Sequence, residues 1–324
     1  MNFDKYLNEQ GLGGNMASKL LANNMNMQIL RTNAILQKEE WVDLDKRVIK
    51  LAEERLVMTQ DLISAGLTYD LGGIGTTISQ WQVESDMTDA TVSMEPDSEG
   101  NRDVVDYDIA QVPIPVIHKD FRLGIRQIEA SRRMGSNIDM TNSDAAARRV
   151  AIGMEDLVIR GNSSNFAGQT IYGVINHPRR VTGVAPGPWS NIDNVYQTIL
   201  NMVAAADAIH RYGPFNLYIP SGLGMVLYRF YNDGSGQTVE QRLNQITPIV
   251  SVKVNDRLPA NNLALVQMTS DTIDLAVAQP LMPVEWESKG GLVSNFKILT
   301  AMAPRIKPDA DGKLGIVHFT IPTV

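Results

Sequence analysis

Residues that could carry chemistry are few and scattered in this chain. Histidines stand at 118, 177, 210 and 318, without the second ligand at short spacing that a zinc or iron site requires. His210 falls where a helix is expected to end, which suits a partner for the helix dipole better than a base. A serine nucleophile on a strained strand-to-helix turn needs G-x-S-x-G; Gly161-Asn162-Ser163 and Gly234-Ser235-Gly236 miss that spacing and read as loops. Phosphate cradles of the G-x-G-x-x-G or G-x-x-x-x-G-K type do not occur. Asp309-Ala310-Asp311-Gly312-Lys313 opens like a calcium loop, but the later oxygen ligands and closing Glu are missing. Asp-Gly flanked by apolar strand residues reads as a hairpin turn instead. There is no cysteine, which removes thiol nucleophiles, thiolate metal sites and disulfides, and fits a reducing compartment. The residues therefore imply no catalytic site, no metal, no cofactor and no enzyme.

What remains is a matter of scaffold. With 324 residues, 44% of them hydrophobic, the chain can bury a sizeable core and is long enough for about two domains. Its net charge of −7 is spread among charges of both signs, which gives no general reason to expect nucleic-acid or membrane binding. No run approaches the ~20 apolar residues that span a bilayer. The opening MNFDKYLNEQ lacks the basic-then-apolar pattern of a secretory leader, so export by that route is not expected. Residues 1–40 are rich in Asn, Gln, Met and Gly and read as an arm with one short helix near 17–30, docked on its own body or on a neighbouring chain.

The chain is organised around Thr141 to Asn176. Thr141, Asn142, Ser143 and Asp144 are capping residues, and Ala146, Val150, Met154, Leu157 and Val158 then recur at three- and four-residue steps. Arg148, Arg149, Glu155, Asp156 and Arg160 fall mostly on other faces, and Gly161 ends the helix before a polar loop at 162–165. Ile171 to Ile175 reads as a short strand. Upstream, Trp41 to Ile63 has a strongly helical pattern whose first stripe is interrupted by Arg55, and glycines at 66, 72, 73 and 75 end it. Strands are expected at 74–83, 90–94 and 104–117; Pro113 and Pro115 confine the last to an edge or an exposed ribbon whose tip is 95–101. Downstream come a helix at 194–210, a buried strand at 215–219, a helix opened by Pro220-Ser221 and running through Phe230, another at 239–246, and strands at 250–254, 263–267, 273–277, 283–287, 293–303 and 315–321.

Glu155-Asp156, Ile159-Arg160-Gly161-Asn162 and the following Ile171-Tyr172-Gly173-Val174-Ile175-Asn176 resemble the spine-helix passage of the tailed-phage major capsid and encapsulin shell superfamily. Gly213-Pro214-Phe215-Asn216-Leu217-Tyr218 is similar to that family's entry into its axial domain, and the order of elements matches over roughly 41–321. The resemblance implies an α+β chain of Hong Kong 97-type capsid fold. Its parts would be an arm at 1–40, an N-terminal helix at 41–71, an extended loop at 72–118, a peripheral domain at 119–190 and 275–324 with a spine helix about 142–161, and an axial domain at 191–274. It also implies a structural virion protein. Copies would assemble in a host cytoplasm as pentamers and hexamers into the icosahedral head of a bacteriophage, enclosing double-stranded DNA without reading its sequence. Separate scaffolding, portal or decoration proteins would be its other partners. The 40-residue lead favours a phage head over an encapsulin compartment, the alternative within the family. A soluble enzyme or binder using the ribbon as a lid is the alternative outside it.

A charge asymmetry supplies candidate contacts. Residues 84–108 hold nine acids and one base, Arg102, whereas 118–180 is rich in arginine. One reading is that the acids keep an exposed ribbon soluble and unpaired. The other is that the ribbon lies on the basic spine region of an adjacent copy, setting register and assembly rate. The candidates for that contact are Glu84, Asp86, Asp89, Glu95, Asp97, Glu99 and Asp103 facing Arg132, Arg133, Arg148 and Arg149. Asp233 and Ser235, in a loop expected near a symmetry axis, complete the set.

Overall fold

A computed structural model describes residues 38–53, 56–85, 87–95, 99, 102–134, 141–166, 168–231, 236–289, 292–309 and 311–322. The expected arm helix at 17–30 and most of the ribbon tip lie outside these residues. In order, the first half forms α1 (Lys38–Glu53), α2 (Met58–Ser64), β1 (Thr68–Asp70), β2 (Ile78–Glu84), β3 (Tyr107–Pro113), β4 (Val116–Gly124), α3 (Ile125–Met134), α4 (Thr141–Arg160), β5 (Asn162–Phe166), β6 (Gln169–Ile171) and β7 (Val181–Val184). The second half forms α5 (Ile192–Asp207), β8 (Phe215–Pro220), a turn of 3-10 helix leading into α6 (Gly224–Leu227), α7 (Val239–Leu243), β9 (Ile249–Asn255), β10 (Asn262–Gln267), β11 (Ile273–Ser288), β12 (Val293–Ile306) and β13 (Ile316–Thr320).

The spine helix α4 carries its apolar stripe inward as the spacing requires. Ala146, Ala147, Val150, Ala151, Met154 and Val158 join Leu44 and Val48 of α1 and Phe296 and Ile298 of β12 in one core, each large side chain contributing about 1.5–3 kcal/mol by leaving water. Below α4 lies a four-stranded sheet in the order β1-β11-β12-β4. The second sheet has the order β7-β13-β10-β8-β9. One of its faces gives Tyr218, Ala264, Val266 and Ile316 to the spine core, and the other gives Leu217, Ile219, Leu265 and Val317 to a core closed by α5. Asn191 caps α5, its side chain accepting from the Asp193 amide.

Several expectations are corrected. The stripe over 41–63 belongs to two helices, because α2 restarts at Met58 on a carboxylate supplied by α4, described below. Residues 90–94 form no strand; Val92 and Met94 stand fully in solvent without cross-strand partners. The polar run 162–165 lies within strand β5, paired with β6, and 172–175 turns away after Ile171. Pro220-Ser221 opens only the 3-10 turn and the short α6, so the helix stops before Phe230, which instead bridges to Thr238. Strands 273–277 and 283–287 are one long β11, bent by register shifts between Val277 and Met282. The Asp309–Lys313 turn exists, with Asp309 and Lys313 joined through their backbones. It is not a hairpin: β12 before it pairs with β11 and β4, while β13 after it pairs with β10 and β7 of the other sheet. The closing strands are thus shared between sheets.

Candidate intersubunit surface

Strands β2 and β3 pair from Ile78 with Pro113 to Glu84 with Tyr107 and form a two-stranded ribbon. Pro113 ends its strand, which is where a residue without an N–H can sit. The root of the ribbon is anchored: Val112 and Ile114 are buried against Leu157 and Ile171. Beyond Glu84 nearly every described side chain is exposed. There Thr88 donates from both its amide and its hydroxyl to the Asp103 carboxylate, tying the two arms together. Those bonds hold Asp103 below the usual carboxylate range. Between the ribbon root and the body lies a groove of about 500 Å³, lined by residues that include Trp81, Asp108, Tyr172 and Arg179.

Of the predicted contact residues, Glu84, Asp89, Glu95, Glu99 and Asp103 are exposed on the ribbon, and Arg133 and Arg149 are exposed near and on the spine, with Arg148 half-buried. Glu99 has only a loose surface contact with Arg102, 3.8 Å away. Asp86, Asp97, Asp233 and Ser235, and the Arg132 side chain, lie outside the described residues. Among the described residues the fold brings no ribbon acid onto a spine arginine of the same chain, so a pairing of those described residues would involve a second copy.

The expectation that Glu155 sits on an outer face is wrong. It is fully buried and ties three parts of the chain. One oxygen accepts from the Met58 amide and Asn255 Nδ2, both at 2.7 Å, and the other from the Thr59 amide at 3.1 Å and hydroxyl at 2.7 Å. Val57 offers α2 no side-chain cap; Glu155 supplies an anion at that positive helix end instead. Neighbouring carboxylates continue the seam between the helices and the second sheet. Asp61 accepts from the Tyr218 hydroxyl at 2.7 Å and from Lys253, and burial and that carboxylate keep the phenol protonated far above its ordinary range. Asp156 takes a two-pronged bond from Arg257, at 2.9 and 2.7 Å. Distant donors gave these roles no local signal; only the Glu155-Asp156 pair of the shell-family motif marked the place.

A second buried cluster sets pH behaviour. Arg180 donates Nε to His318 Nδ1 at 3.2 Å and Nη1 to the His177 carbonyl at 2.8 Å, and His318 Nε2 lies 2.7 Å from Asn262 Oδ1. His318 is therefore neutral, with its proton on Nε2. Burial first, then Arg180, lowers its pKa to about 4; burial, then Arg179 and Arg180, lowers that of His177 to about 4. Both histidines bind protons more readily in the unfolded chain, where the ordinary value is 6.5. Their contribution to stability is thus complete above pH 6.5 and falls between 6.5 and about 4. Urea unfolding across that range should show the loss, and His318→Gln should flatten part of the slope.

Among the described residues no group of three His, Cys, Asp or Glu is placed to hold a metal ion, and no described helix is long and apolar enough to cross a membrane. A sequence family described as one of unknown function, DUF6260, matches residues 30–319. The type 1 encapsulin shell protein EncA of Myxococcus xanthus (strain DK1622) is 25% identical over 276 residues, covering 85% of this chain and 92% of its own. Among solved structures, a virus-like particle from Pyrococcus furiosus is similar with a TM-score of 0.61 and 17% identity, covering 87% of this chain and 99% of its own. The capsid of Myoviridae phage XM1 has a TM-score of 0.64 and 14% identity, covering 83% and 95%.

Proposed function

Because the chain belongs to DUF6260 and has the Hong Kong 97-type capsid fold of the capsid and encapsulin superfamily, we propose that it is the self-assembling subunit of an encapsulin-type protein shell. The observation that carries this reading is the likeness to EncA along nearly the whole of both chains. It reverses the order suggested by the long lead alone, which favoured a phage head. That head remains the second reading, supported by the likeness to the XM1 capsid. Electron microscopy of purified particles tests the first claim, and their contents separate the two. Closed shells holding protein favour the compartment, closed shells packed with DNA favour the head, and a dispersed monomer at high concentration rejects both.

In this reading residues 191–274 pack around the symmetry axes through heterologous contacts that close a ring. Met225 on α6, and Tyr228 and Phe230 just beyond its end, are 75%, 63% and 70% exposed, exposed apolar side chains suited to burial between copies. Met225→Asp with Tyr228→Asp should leave a folded monomer with an unchanged melting temperature yet abolish particles in micrographs. Normal particles from that variant would place the ring contact elsewhere. The ribbon, residues 72–118, would reach over the next subunit, and residues 1–40 would act as an arm toward a neighbour.

A further inference from the structure

Two surfaces of the fold have complementary chemistry. The residues lining the groove at the ribbon root include the acids Glu84, Asp106, Asp108 and Asp309 and one cation, Arg179. Asp309 is already paired with Arg211, and burial beside arginines keeps His177 neutral. Glu84, Asp106 and Asp108 have no ion pair among the described residues, so the groove is acidic; by the strand register Asp108 shares the ribbon face of Trp81, while Glu84 and Tyr107 lie on the opposite face at its rim. Of the described side chains on α3, which follows directly on β4, Arg126, Glu129, Ala130 and Arg133 are exposed and Ile125 is half-buried. Arg126 and Arg133 likewise have no ion pair among the described residues. Seven residues apart, they lie on one helix face, about 10 Å from each other.

We propose that the arginine face of α3 docks into this groove on a second copy of the chain, a contact that rests on the shell reading and specifies one of its seams. Guanidinium groups suit such a place better than ammonium groups do. Their planar fork meets carboxylates through paired hydrogen bonds and stacks on aromatic rings. The chain already uses this chemistry beside the groove, where Arg305 lies 4.0 Å over the Tyr69 ring and 5.9 Å from that of Trp81. The ribbon's acids then have a defined target, and the solubility of the free subunit follows from the same charges.

Assembly followed by light scattering, with particles checked by microscopy, tests the docking. Glu84→Lys, Asp106→Lys and Asp108→Lys together should slow assembly about tenfold or more at low salt, as like-charge contacts do at steered interfaces. Arg126→Glu with Arg133→Glu should do the same. All five changes in one chain should restore the rate to within about threefold, because the charges are exchanged rather than lost. Thermal melting of each subunit confirms that it folds. Wild-type particles with no restoration by the five-fold exchange would overturn the docking and leave the shell reading in place. Wild-type copies that form no particle at any salt would overturn both.

Discussion

Replacing Glu155 with alanine should cost the subunit on the order of 4 kcal/mol, the largest loss expected from any single polar side chain in the described fold. Four donors converge on this carboxylate, and hydrogen bonds to an ionised group contribute about 1.5–3 kcal/mol each, without simple additivity. Removing the acceptor leaves the Met58 and Thr59 amides, the Thr59 hydroxyl and Asn255 Nδ2 facing an apolar core. It also strips α2 of the anion at its start, so the damage should spread to the α1–α2 joint. Glu155→Gln keeps one oxygen but turns an amide N–H₂ toward one pair of donors, and should cost roughly half as much. Thr59→Val removes a single bond to the carboxylate and should cost about 1–2 kcal/mol. Urea unfolding of the three variants gives the ranking, and hydrogen exchange at residues 58 and 59 localises it. An alanine variant within 1 kcal/mol of wild type, at the same unfolding slope, would show that the seam relaxes or fills with water and does not hold the helices to β9.

The extent of the spine helix was legible because its signals are local: four capping residues, an unbroken three-four stripe and a glycine at the stop. The ribbon was legible for a different local reason, since two prolines exclude a central strand. Glu155 was misplaced because charge type argues for exposure, and only its partners, about 100 positions away at 58, 59 and 255, argue otherwise. The same non-local bond hid the break between α1 and α2, whose stripes join into one apparent helix. The Asp309–Lys313 turn has hairpin chemistry, yet its strands belong to different sheets; turn residues fix a local reversal and not which edge the next strand finds. The docking groove is assembled from residues near 81, 107, 172 and 304, so no single stretch announces it. The acid and arginine runs were visible as composition, and the fold adds that their described members remain apart within one chain.

Gly173→Ala should destabilise the subunit by about 3–5 kcal/mol, well beyond an ordinary glycine-to-alanine change, combining overpacking with lost helix-end bonds. The spine helix ends at Gly161 in the left-handed region, at φ +66°, and its last-turn carbonyls would be orphans without a partner. The chain returns to supply them. The Val174 amide bonds to the Val158 carbonyl and the Ile175 amide to that of Ile159, both at 3.0 Å. To deliver those amides, Gly173 passes the helix end so closely that a Cβ on it would meet the Gly161 amide, the Arg160 carbonyl carbon and the Ile159 oxygen, all backbone, far inside van der Waals contact. A Cβ on Gly161 would meet Ile171 and Gly173 in the same way. This contact is the physical reason for two glycines twelve positions apart in the motif that first suggested the fold. Gly66 is the control: it too has positive φ, +73°, but a Cβ there meets nothing within 4 Å, so alanine should cost only the backbone strain of about 1–2 kcal/mol. Thermal and urea unfolding of the two variants separate the effects. A Gly173→Ala cost no larger than that of Gly66→Ala would mean that the 158–175 crossing yields to a methyl group and that close approach is not what requires glycine there.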